Sequence, residues 1–333
     1  MEILIGTREG VFVAGGPGAP AAAQGLERGV LTFCRSNGSI LAGTDDGVFR
    51  SSDGLSWQAS GCEGRAVRAI ATPPGIEGAV YAGTQPAALY RSGDNGRSWA
   101  EIESLTSIPG SHEWGLPGDP SASRALAIVF DGARPDHCWV GVEVGGIMET
   151  EDGGATWRAG MAGQNPDIHA LLRDPGQPGR LYATTGFGRV GPGSAPEAQS
   201  NAGLYRSDDA GCSWRYVWPD LDHRYTRPMC IDAHAPHALT VASAPNFRSS
   251  YRDPDGAQSM LYQSVDGGDT WRSLGDAAHS PSAANLTALA PGDEPGSVFV
   301  GTDSGEIWRV SSSAQWTRLA SGLPHVQALL PLD

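Results

Sequence analysis

The chain has 333 residues and a formal charge of −14, and all 23 of its basic residues are arginine. This acidic balance argues against nucleic acid or an anionic membrane as the main partner, and the lack of lysine excludes Schiff-base and lysine-nucleophile chemistry. No apolar run approaches the ~20 residues needed to cross a bilayer, and five cysteines without C-x-x-C spacing predict buried thiols in a reducing, cytoplasmic setting.

Ile3–Thr7 and Gly10–Ala14 read as two strands with no basic leader before them, so no secretory signal is expected. A repeat then sets in. The pattern S/T-x-D-x-G-x-S/T-W runs Ser92–Trp99, Thr150–Trp157, Ser207–Trp214 and Ser264–Trp271, with a shortened copy at Ser51–Trp57 and a worn one ending at Trp316. Its tryptophans are 42 to 58 residues apart, the spacing of a four-stranded propeller blade. The Asp accepts backbone N–H groups in a tight turn, the Gly supplies a positive φ, and the Trp opens the next strand with a large buried ring.

Labelling the strands of a blade A to D from the inside outward, one blade reads A at Val67–Thr72, B at Val80–Thr84, C at Ala88–Ser92 and D at Ser98–Ile102. Further A strands are predicted at Ala125–Phe130, Ile168–Leu172, Pro228–Ala233 and Leu286–Ala290, and B strands end in small-residue steps such as Gly43-Thr44 and Gly141-Val142. His325–Leu330 reads as an A strand with no blade after it, whereas Ile3–Ala14 lacks an A strand before it. Joined, they complete a seventh blade and remove two open edges. The predicted fold is an all-β, seven-bladed β-propeller over residues 1–333 as one domain, closed by N- and C-terminal strands that share a blade.

The repeat resembles the BNR or Asp-box propeller superfamily, which implies a propeller and leaves the activity open. Within it, Ser111-His112-Glu113-Trp114, Val142-Glu143-Val144-Gly145-Gly146 and Leu221-Asp222-His223-Arg224-Tyr225 resemble bacterial exo-sialidase-like proteins. The six blades and Arg-Ile-Pro motif of true sialidases are not found.

In this strand order the Asp-box turns mark one face, and the long connections Ser104–Ser123, Gly186–Ala202 and Pro245–Ser259 all fall on the other, where function is expected. His112, His169, His223, His279 and His325 stand at or before A strands on that face and are expected to converge on the channel mouth, with Glu113, Trp114, Glu143, Arg224, Tyr225 and Arg227 beside them. One reading is acid–base chemistry on a small polar molecule or glycan, by a glycoside hydrolase or a uronate-type lyase. His169 or His223 is then the base, Tyr225 or Glu143 the acid, and Arg224 or Arg227 a carboxylate clamp. His112 and Glu113 join the substrate-binding set, and Trp114 offers a platform for a sugar ring. A paired-carboxylate hydrolase would match Glu143 with Glu113 or Asp167. A second reading is a divalent metal held by His112, His169 and His223, with Glu143 as a further ligand. A third is a non-catalytic scaffold for a protein partner. No phosphate loop or dinucleotide fingerprint occurs, so no nucleotide cofactor is expected.

Overall fold

The computed structural model describes residues 2–15, 19–115, 119–160, 165–187, 202–251 and 253–332. Its strands form seven four-stranded antiparallel sheets, each with its first strand against the central channel. The seven innermost strands are Val326–Leu332, Val30–Ser36, Ala66–Ala71, Arg124–Phe130, Ile168–Arg173, Tyr225–Ile231 and Leu286–Pro291, in blades 1 to 7 respectively. Blade 1 is composite: Val326–Leu332 pairs with Glu2–Thr7, in a register running from Glu2↔Leu332 to Thr7↔Val326. The ends therefore share a blade, as expected.

The repeat turns explain why the sheets hold together. In blade 3, Ser92 Oγ donates to Asp94 Oδ1 (2.7 Å), which also accepts the backbone N–H groups of Arg97 and Ser98 at 2.9 Å each. The following Trp99 donates Nε1–H to the Ser60 carbonyl of the preceding blade (2.7 Å). Trp271 and Trp316 make the same bond to Val217 and Leu274. Each such tryptophan stitches two blades with a half-buried ring.

These turns also predict acid sensitivity. The Thr156 hydroxyl, followed by its backbone N–H, lowers the Asp152 carboxyl to about 2, and Ser98 lowers Asp94 in the same way. A depressed folded-state pKa contributes stability that is present above the unfolded value of about 3.9 and is lost as pH falls through the folded value. Melting temperature is expected to drop between about pH 4 and pH 2. An Asp94→Asn/Asp152→Asn variant, less stable at neutral pH, should lose less on acidification.

A second regularity positions the site. Every innermost strand carries a bulge near its start, where one extra residue, or two against one in blade 6, interrupts the pairing. The bulged residues are Gln327, Leu31, Arg68, Leu126, His169, Arg227 with Pro228, and Thr287. A bulge re-aims a side chain, and here all seven positions line the channel mouth. Opposite them the second strand carries a small residue because the next blade lies against it. A Cβ at Gly141 would stand 2.9 Å from Ile168 Cγ2, and one at Gly83 would stand 2.8 Å from the Ala125 carbonyl oxygen. The strand predicted at Pro228–Ala233 begins earlier, at Tyr225, because the Arg227–Pro228 bulge interrupts its ladder without ending it.

Candidate functional site

A cavity of about 530 Å³ opens where the innermost strands begin, on the face opposite the repeat turns. Its wall is built from the bulges and from residues just before them. Glu143 ends the second strand of blade 4, and Arg124 opens the first strand of the same blade. Arg124 Nη1 donates to Glu143 Oε2 (2.6 Å), and its Nε donates to Gln85 Oε1 (3.0 Å). Arg68 donates to the same Gln85 oxygen at 2.5 Å, so one neutral amide holds two guanidinium groups side by side.

His169 is almost fully buried, and its Nδ1 donates to the Thr226 carbonyl of the next blade (2.6 Å). That bond fixes the ring and leaves Nε2 at 3.4 Å from Asp167 Oδ1. Oxygens of Glu143 and Asp167 and a ring nitrogen of His169 all lie within 4.8 Å of one another. Gly186 makes this approach possible. A Cβ there would sit 2.7 Å from His169 Cε1 and nearer still to Asp167. Gly186→Ala is therefore expected to displace the pair with only a modest fall in melting temperature, which a crystal structure of the variant beside calorimetry checks.

Tyr225 supplies an aromatic wall. Its ring meets His169 edge-on at 5.0 Å, stacks with Phe187 at 6.2 Å, and meets Phe247 edge-on at 5.9 Å. Burial raises the Tyr225 hydroxyl above its ordinary value, and the neighbouring Arg227 opposes that shift. Phe247, on the short helix Phe247–Tyr251, is half exposed. His325 is pushed down to about 4, first by burial and then by Arg8 and Arg227, so it is neutral at pH 7.

Of the residues singled out from the sequence, Glu143, His169, Tyr225 and Arg227 line this cavity together, and His325 joins them. The expectation of one shared pocket is corrected for the others. His112 and Glu113 stand exposed on a 3-10 turn, paired with each other at 3.9 Å. Trp114 is buried in the core with Leu105 and Val142, where it anchors the long crossover and offers no platform. His223 sits near Tyr262 of the third strand of blade 6 (6.5 Å between rings), and its carbonyl accepts Trp218 Nε1–H. Arg224 lies outside the cavity wall. His279 stacks on Trp316 (5.2 Å) in a separate cavity of blade 7. Most of the predicted loop Gly186–Ala202, together with residues 116–118 and 252 of the other two loops, lies outside the described residues.

The metal set His112, His169 and His223 is therefore not assembled. Among the described residues, Glu143, Asp167 and His169 can hold a cation by distance. Arg124 already pairs with Glu143, and the Arg68 guanidinium beside it opposes a second positive charge. Sequence reasoning did not single out Arg8, Arg68, Arg124 or Asn285. Of these only Arg68 carries the bulge motif, an apolar residue, a variable one, then a small residue or proline, seen in Val67-Arg68-Ala69, Ile168-His169-Ala170 and Val326-Gln327-Ala328.

Fold and cavity define a seven-bladed propeller with a charged, ligand-sized channel mouth. No family model matches the chain. A xyloglucanase of Paenibacillus sp. is 27% identical over 259 residues, covering 71% of this chain and 23% of that protein. A xyloglucanase of Hypocrea jecorina is 25% identical over 286 residues, covering 78% and 32%. The chain thus spans at most about a third of these relatives. Among solved structures, a GH74 xyloglucanase from Xanthomonas campestris aligns with TM-score 0.62 at 18% identity, covering 96% of this chain and 46% of the other. YCF48 bound to D1 peptide aligns with TM-score 0.57 at 14% identity, covering 96% and 84%. These likenesses show the fold.

Proposed function

We propose that this protein is a glycoside hydrolase whose acid–base chemistry takes place at the loop-rich mouth of the channel. The observation that carries the reading is the approach of the Glu143 and Asp167 carboxylates and the His169 ring, within 4.8 Å of one another. Paired carboxyl groups about 5–5.5 Å apart serve retaining glycosidases, and wider pairs of about 6.5–9.5 Å serve inverting ones. Similarity to enzymes named xyloglucanases supports a glycan substrate. In this reading Glu143, on the cavity wall and held by Arg124, attacks the anomeric carbon as the Asp167–His169 pair passes a proton to the departing oxygen. Water, giving a proton back to that pair, then releases the sugar from Glu143. Tyr225 and Phe247 give the sugar ring an apolar surface.

The spacing predicts stereochemistry. Proton NMR of freshly cleaved product should show retained anomeric configuration. An inverted product would contradict the Glu143–Asp167 pairing.

A second reading, a uronate lyase, is favoured by the contact of His169 with Tyr225 and by Arg227, whose guanidinium carbon lies 5.9 Å from the centre of the Tyr225 ring. The histidine would take the proton beside the carboxylate, and the tyrosine would donate to the leaving oxygen. Unsaturated product with ultraviolet absorbance separates this reading from the first.

A further inference from the structure

The residues around the cavity are unevenly charged. Four arginines line it, Arg8, Arg68, Arg124 and Arg227, against one lining carboxylate, Glu143. This concentration of positive charge belongs to a chain whose formal charge is −14. It is also built with care: two of the four come from bulges, which aim their side chains inward.

The link between Arg68 and Arg124 is the neutral Gln85, which orients both groups and neutralises neither. Among the described residues, buried Arg68 Nε and Gln327 Oε1 have no hydrogen-bond partner, and a polar atom left so is unfavourable until a ligand meets it. Arg68 is lowered to about 10, first by burial and then by Arg124, while Glu143 acts in the opposite sense and Arg227 adds to the fall. Like charges gathered in a half-enclosed space raise the free energy of the empty site, and an anion lowers it. The aromatic wall and the amides and hydroxyl of Asn285, Gln327 and Thr287 suit the rest of a sugar.

We infer that the cavity is an oxyanion site, and that the glycan it accepts carries a carboxylate: a uronic acid residue, its acid group between Arg68, Arg124 and Arg227 and its ring toward Tyr225 and Phe247. Naming a sugar rests on the glycan reading above, whereas the choice of an anion rests on the arginines alone. Guanidinium groups fork onto carboxylate and phosphate alike, so the test separates them.

Titration calorimetry and thermal shift on the intact protein with glucuronate, galacturonate, glucose, galactose and glucose 6-phosphate decide the matter. A uronate is expected to bind at least tenfold more tightly than its neutral counterpart and to raise the melting temperature. Arg68→Gln and Arg227→Gln should each weaken that binding at least tenfold. Arg68→Gln without ligand should melt no lower than the parent, since it removes a buried, repelled charge, and Arg227→Gln gives an independent reading. Equal binding of neutral and acidic sugars, or uronate binding unchanged by both substitutions, overturns the inference and leaves the hydrolase reading standing. Binding of glucose 6-phosphate in place of either uronate overturns the carboxylate assignment. Uronate binding without cleavage of any uronate-bearing glycan supports the anion site and removes the hydrolase reading.

Discussion

Glu143→Gln is expected to lower glycan turnover about a hundredfold or more and to leave the melting temperature within a few degrees of the parent. Glutamine keeps the size and still accepts the Arg124 hydrogen bond, so the Arg124–Glu143 contact seen at 2.6 Å survives in neutral form. What is lost is the negative charge beside the reacting carbon. Asp167→Asn should have an effect of similar size by another route, because it removes the carboxylate that stands 3.4 Å from His169 Nε2. The two groups act on one substrate atom pair, so the double variant should lose little more than the worse single one. Steady-state kinetics on the four proteins measures this. Additive losses would show that the carboxylates do not work as a pair.

The second large effect concerns closure. Deleting Val326–Leu332 is expected to abolish cooperative unfolding. The strand pairs with Glu2–Thr7 along its length, and Val326 is fully buried between blades 1 and 7. Without it the unpaired edge of Glu2–Thr7 is left facing the channel, and such an edge invites pairing with other chains. Circular dichroism should show a broad transition and light scattering should show association. Supplying the strand ahead of Glu2 through a short Gly-Ser linker, a circular permutation in effect, should restore a sharp transition. A truncated protein that melts sharply as a monomer would show that the disc does not depend on its shared blade.

Much of this architecture could be read from the residues. The Ser/Thr-x-Asp repeat marks its turns because the aspartate, the glycine and the tryptophan each do a separate physical task there, and that combination leaves a strong local signature. The orphan strands at the two ends predicted their own union. The face that carries the cavity was legible too, since turn residues and long connections separate along the chain. Site composition was harder. His112 and His223 precede innermost strands in sequence, yet one lies on an exposed turn and the other rests near Tyr262. A crossover has room to leave the axis before the strand begins, so proximity along the chain did not carry over into space. Trp114 was drawn into the core by the same crossover. Arg68 was missed for the opposite reason. A bulge reverses the inward–outward alternation by one residue, and Arg68 reads as an ordinary strand position until the interrupted pairing is seen. Aligning the seven innermost segments on their apolar–variable–small motif would have exposed it.

The most direct test of the channel mouth as the working site is a crystal structure of Glu143→Gln with the oligosaccharide that the parent protein cleaves best. Sugar is expected against Tyr225 and Phe247, with its scissile bond beside residue 143 and His169. Sugar seated instead in the blade 7 cavity of His279, Trp308 and Trp316, or on the face of the repeat turns, with the channel mouth empty, would contradict it.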